Sequence, residues 1–134
     1  MITLDTSGLI AYVNAGDDAH QACLETLDND PGPFIIPAGI LAEIAWMLET
    51  RFPPYVEQAF LDALREHTFI LDWDEADVDR GQELSRRYQD LELGLADALV
   101  IACAERNRGR VLSIDHRHFS VVARQGTITV LPSP

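Results

Sequence analysis

The chain has no lysine; all ten of its basic residues are arginine. That absence excludes several chemistries. A P-loop nucleotidase needs the lysine of its G-K-[ST] motif, a protein kinase needs a strand lysine, and pyridoxal-phosphate and other Schiff-base enzymes need a lysine amine. Cysteine is scarce: Cys23 and Cys103 both fall in apolar helical patterns, where they read as small buried hydrophobes. No two glycines stand at i and i+2, which removes the G-x-G-x-x-G phosphate loop, and G-x-S-x-G, H-E-x-x-H and C-x-x-C are also missing. No apolar run approaches the roughly 20 residues of a membrane span. The opening MITLDTSGLI lacks the basic start of a signal peptide, so a cytoplasmic location is expected. Positive charge is short as well, with 22 acids against 10 arginines and a net charge of −12. Such a balance opposes a nucleic-acid partner unless bound divalent cations or clustered arginines reverse the local field. It favours a basic protein partner.

What is present describes one globular domain, residues 1–134, with 47% hydrophobic and 24% charged residues. Area scaling gives a folded surface of about 7,000 Å² for a chain of this size. Short β-prone runs at 1–4, 34–36, 69–71, 110–114 and 127–131 alternate with helical patterns at 17–29, 38–51, 54–65, from Asp74 to about Tyr88, and 95–107. The alternation predicts an α/β fold with a mostly parallel central sheet and right-handed crossovers. Ligands in such folds bind beyond the carboxyl ends of the strands. Asp5 and Asp115 each close a predicted strand and lie on that edge.

Two more acids stand out against their surroundings. Glu43 lies in ILAEIAWML and Asp97 in LADALVIAC, each almost alone among apolar residues and each in the first helical turn, where the helix dipole favours negative charge. If buried, such a group must be paired, protonated or metal-bound. Taken singly, each acid also has an ordinary reading as a turn, solvent-facing or first-turn residue. Taken together, four carboxylates repel one another unless a cation neutralises them. Hard oxygen donors without histidine or cysteine suit Mg²⁺ or Mn²⁺, which typically assist phosphoryl transfer or phosphodiester hydrolysis. Trp46, Trp73 and Phe119 read as packing residues. Arg106, Arg108 and Arg110 read as a solvated face, with Arg106 compensating a helix C-terminus. His116-x-His118 has a zinc-like spacing, but two ligands without a cysteine are a weak signal.

The runs LDTSGLIAY, LAEIAWML, YQDLELGLADALVIACAE and VLSIDHRHFSVV together resemble PIN-domain proteins, and more narrowly the VapC-type ribonuclease toxins of bacterial toxin–antitoxin pairs. The resemblance spans essentially the whole chain. It implies a PIN-like three-layer sandwich, a Mg²⁺- or Mn²⁺-dependent endoribonuclease acting on tRNA or ribosomal RNA, and a homodimer neutralised by a cognate antitoxin. Asp5, Glu43, Asp97 and Asp115 match the family's acidic quartet, catalytic and metal-binding, and Ser7 matches the hydroxyl residue that supports the first acid. Arg117, His116 and Arg86 are candidate RNA contacts, and the antitoxin is expected to bring a basic segment to the carboxylates. The apolar helices at 38–51 and 54–65 are candidates for the groove that holds its hydrophobic part. His116 stands where many members have arginine, and Gly94 stands where some have a further acid. Two other readings stay open: a non-catalytic PIN-like protein-binding module, and a metal-dependent hydrolase of small phosphates.

Overall fold

A computed structural model describes residues 1–133; Pro134, the last residue of the expected domain, lies outside the described residues. The strands are β1 (Ile2–Leu4), β2 (Phe34–Pro37), β3 (Phe69–Asp72), β4 (Arg110–Leu112) and β5 (Thr129–Leu131). The helices are α1 (Thr6–Val13), α2 (His20–Asp28), α3 (Leu41–Arg51), α4 (Pro54–Arg65), α5 (Ala76–Arg87), α6 (Leu95–Arg106) and α7 (His116–Ala123), with 3-10 turns at Ala38–Ile40 and Gln89–Leu91. The strands form one five-stranded sheet in the order β3-β2-β1-β4-β5, and every pairing is parallel. The solvent-accessible surface is 7347 Å², close to the expectation from chain length.

The strand order fixes the layers. From β1 the chain steps outward to β2 and β3, then crosses back over β1 to β4 and continues to β5. Right-handed crossovers therefore put α1–α4 on one face and α5–α7 on the other, which makes the three-layer sandwich. The direction reverses between β1 and β4, and at such a switch point the loops part and leave a crevice at the carboxyl edge. Asp5 follows β1 directly, and Asp115 lies three residues beyond β4.

The core explains the apolar runs. β1 is buried throughout, and Ile2, Leu4, Ile36, Val111 and Leu112 are inaccessible to solvent. Helix α6 packs on β1, β2 and β4 and also against α5, so it buries residues around most of its circumference and shows no single apolar stripe. Both cysteines are buried and free.

Several expectations are corrected. Helices α1 and α7 start within a few residues of β1 and β4 and have only eight residues each, too short for a periodic signal to emerge. Trp46 and Trp73 are 61% and 52% exposed and are not packing residues, whereas Phe119 is fully buried. Helix α3 meets the core through Ile44 and Leu48, and Trp46, two positions from each, falls on another face. The arginines at 106 and 110 reach solvent but are also tied into ion pairs. Arg110 donates to Asp30 at 2.6 Å. Arg106 donates through two nitrogens to the two oxygens of Asp77, at 2.7 and 2.6 Å, and one of them also lies 2.8 Å from Asp72.

Asp77 is 3% exposed, and that fork is its charge partner. Arg106→Ala leaves a buried carboxylate without its partner and is expected to cost about 2–3 kcal/mol, below the range for a fully buried pair because Arg106 itself reaches solvent. Chemical denaturation checks this; an unchanged midpoint would show that the pair contributes nothing.

Candidate active site

Four chain segments meet at the switch point. A cleft of about 220 Å³ is lined by Asp5, Thr6, Ser7, Glu43, Met47, Asp97 and Asp115. Asp5 is positioned by β1, Glu43 by the first turn of α3, Asp97 by the first turn of α6 and Asp115 by the N-terminal edge of α7. The four predicted acids and Ser7 therefore share one cleft. His116, Arg117 and Arg86 are exposed and do not line it.

Asp5 is the most enclosed of the acids, 5% exposed. It occupies the N-cap position of α1 but makes no capping bond there. Its Oδ2 instead accepts from the hydroxyls of Ser7 at 2.7 Å and Ser113 at 3.0 Å. The Ser7 hydroxyl also accepts from the Ile114 amide at 3.1 Å, which ties the start of α1 to the end of β4. Burial pushes the Asp5 carboxyl up, the two serines pull it partly back, and Glu43 adds repulsion. Glu43 is exposed rather than buried, so the reasoning from buried charge does not apply to it. Its Oε2 accepts from the Thr6 hydroxyl at 2.8 Å, which fixes it toward the cleft.

Asp97 carries the clearest electrostatic signature. Burial, then the charges of Asp5 and Asp115, push its carboxyl up to about 6, with His118 acting in the opposite direction. Asp115 Oδ2 lies 2.8 Å from His118 Nδ1, and Asp115 Oδ1 accepts from the His118 amide at 3.4 Å. That hydrogen bond raises the His118 imidazole above its usual value; its own burial opposes this and the charges of Asp115 and Asp97 add to it. Donor atoms of Asp97, Asp115 and His118 all lie within 4.8 Å of one another.

Sequence reasoning missed Thr6, Ser113 and Met47, and weighed His118 only as half of a weak zinc-like pair with His116. Thr6 and Ser113 orient the acids, Met47 lines the cleft wall, and His118 joins the carboxylates, so the donor set is not purely oxygen as expected. His118 was legible in principle: three residues after Asp115, it shares a helix face with it once α7 is recognised. Ser113 carried no signal, because only the pairing of β1 with β4 brings it to Asp5.

Two depressions border the helices expected to hold a partner. The depression between α3 and α4 is lined by Glu49, Phe52, Pro54, Glu57 and Gln58. The more apolar groove, about 310 Å³, lies between α1 and α4 and includes Tyr12, Tyr55, Phe60 and Phe69. Among the described residues, no helix is long and apolar enough to cross a membrane.

Comparison with known proteins gives a consistent picture. The PIN domain family model matches residues 2–125. Ribonuclease VapC26 of Mycobacterium tuberculosis is 32% identical over 133 residues, covering 96% of this chain and 98% of that protein. The crystal structure of Mycobacterium tuberculosis VapC20, described as a sarcin-ricin loop cleaving toxin, matches with a TM-score of 0.75 at 20% identity, over 90% of this chain and 95% of that one. FitAcB from Neisseria gonorrhoeae matches with a TM-score of 0.71 at 18% identity, over 97% and 96%. At those identities the two structures speak for the fold alone.

Proposed function

Since this chain belongs to the PIN domain family and is of the VapC type, we propose that it is a metal-dependent endoribonuclease toxin hydrolysing phosphodiester bonds of tRNA or ribosomal RNA. The observation that supports this most strongly is the convergence of Asp5, Glu43, Asp97 and Asp115 on one cleft from four separate segments. A cation fits the donor set: Asp97 is held up to about 6 partly by neighbouring carboxylates, a repulsion that a divalent charge removes. Asp97 and Asp115 are the residues best placed to hold Mg²⁺ or Mn²⁺, with Asp5 and Glu43 facing the same space. When bound, the cation supplies positive charge beside the scissile phosphate and acidifies the attacking water.

The chain's own residues supply orientation. Ser7 and Ser113 fix one oxygen of Asp5, and Thr6 fixes one oxygen of Glu43, so the carboxylates meet substrate without reorganising. Water attacks phosphorus in line, the bond to the 3′-oxygen breaks, and the products are a 3′-hydroxyl and a 5′-phosphate. Arg117, His116 and Arg86, exposed on the surface, are proposed contacts to the RNA backbone. A cognate antitoxin, carrying a basic segment that enters the acidic cleft and a hydrophobic part held on the helical face, would inhibit it. A homodimer in the cytoplasm is the proposed working state.

The test is cleavage of total tRNA and ribosomal RNA by the purified chain, with Mg²⁺ or Mn²⁺ and with EDTA, and with the ends mapped. Discrete metal-dependent cuts leaving 5′-phosphates are expected. A folded, metal-binding, antitoxin-free protein that cuts neither RNA pool would overturn the reading in favour of a binding module.

A further inference from the structure

Beside Asp97 and Asp115 of the acidic cleft stands a nitrogen donor. His118 projects from the first turn of α7, and its Nδ1 is the ring nitrogen turned toward both Asp115 and Asp97. It lies 2.8 Å from Asp115 Oδ2 and 3.9 Å from Asp97 Oδ2. Two donors each about 2.1 Å from one octahedral ion stand about 3 Å apart when adjacent and about 4.2 Å apart when opposite. The 3.9 Å separation from Asp97 falls within that span, and the 2.8 Å separation from Asp115, a hydrogen bond in this structure, would have to open slightly to reach it. The imidazole is confined as well, with a side chain 19% exposed, so it is held near the two carboxylates rather than free in solvent.

Resting on the reading of the cleft as a metal site, we infer that His118 is a metal ligand through Nδ1, and that this nitrogen makes the site select Mn²⁺ over Mg²⁺. The selectivity follows from donor chemistry. Mg²⁺ is hard, prefers oxygen and gives up its waters reluctantly. An imidazole nitrogen strengthens binding of first-row transition ions, of which Mn²⁺ is the weakest binder, and adds less for Mg²⁺, which prefers oxygen. With the proton placed on Nε2, Nδ1 offers a lone pair to the ion and gives up its contact with Asp115. His118 then supplies a ligand where an all-carboxylate site would supply none, on the side of the cleft formed by α6 and α7. The alternative role, a hydrogen bond that merely positions Asp115, leaves oxygen as the sole donor type and confers no preference between the two ions.

The experiment is metal titration and electron spin-echo spectroscopy of the full chain, stripped of metal and loaded with Mn²⁺ alone. Wild type and His116→Gln are expected to show nitrogen coupled directly to Mn²⁺, and histidine labelled with ¹⁵N should shift that coupling. His118→Gln is expected to lose it, with Mn²⁺ affinity falling about tenfold or more while Mg²⁺ affinity changes less than about threefold. His118→Asp should restore tight binding of both ions without the nitrogen signal. If His118→Gln fails to fold, the His118→Asp spectrum, expected to lack the coupled nitrogen, decides the question. Mn²⁺ that binds in an Asp97-dependent manner without coupled nitrogen overturns the inference and leaves the metal site standing. The absence of any Asp97-dependent binding overturns both.

Discussion

Asp97→Asn is expected to lower RNA cleavage by about 10³-fold or more and, in metal-free protein at pH 7.5, to raise the melting temperature. The first effect follows from loss of a charged donor. A cation and its ligands supply several kcal/mol of charge stabilisation in the transition state, and each 1.36 kcal/mol is a factor of ten. The second follows from the carboxyl's displacement. In the folded chain it titrates near 6, against an ordinary value of 3.8, because burial and then Asp5 and Asp115 oppose its charge. Between about 4 and 6 the folded state holds a proton that the unfolded state has lost, so stability falls as pH rises through that window, and above it the full penalty remains. Asparagine keeps the shape and removes the penalty.

EDTA-treated wild type should therefore melt higher at pH 5 than at pH 7.5. Asp5 and His118, also raised, add to the same trend. Asp30, Asp72 and Glu105 are held below their ordinary values, so their contribution is lost only at more acid pH. In Asp97→Asn the slope should flatten, and added Mn²⁺ should no longer raise the melting temperature. Thermal melts across pH, with and without metal, provide the measurement. A folded Asp97→Asn protein that cleaves at the wild-type rate would sink the assignment of this residue.

Gly8→Ala is expected to destabilise the fold by about 3 kcal/mol, the upper end of the overpacking range, and to lower the melting temperature by about 10 °C. The sign is the reverse of what helix propensity alone gives, since alanine within a helix is ordinarily better than glycine by nearly 1 kcal/mol. Gly8 lies in α1, where a methyl group would overlap the Leu112 carbonyl oxygen and stand 2.9 Å from the Leu112 Cγ. Leu112 is a fully buried residue of a central strand and its backbone cannot yield. Relief requires α1 to lift away from β4, and that movement separates Ser7 from Ser113 and from the Ile114 amide. Cleavage should fall along with stability, because Asp5 loses a partner that orients it. Calorimetry and the RNA assay read the two effects; a neutral or stabilising outcome would show that α1 is free to shift.

Much of the architecture was legible because its causes are local. Alternating apolar strand and helix patterns are written along the chain, and they gave the α/β fold, the parallel sheet and helix 54–65 at its observed limits. The acids were legible because each interrupts an apolar run or closes a strand. The misses share one cause. Helices α1 and α7 are short, and they begin directly at Asp5 and Asp115, where strand and helix signals overlap. The exposure of Trp46, like the burial of Asp77 against Arg106, depends on which neighbour covers a helix face, and composition does not encode that.

The amino-acid sequence by itself determined which chemistries were closed to this protein, through the absence of lysine and of glycine-rich phosphate loops, and which four carboxylates were out of place. Only the tertiary structure decided that those four meet in one cleft, that Ser113 and Thr6 orient two of them, and that His118 stands among them. The reason lies in connectivity. Residues 5, 43, 97 and 115 become neighbours because the crossover from β3 to β4 passes back over β1 and opens a crevice between β1 and β4. Contacts across so many residues are set by the order of strands in space rather than by any periodicity along the chain.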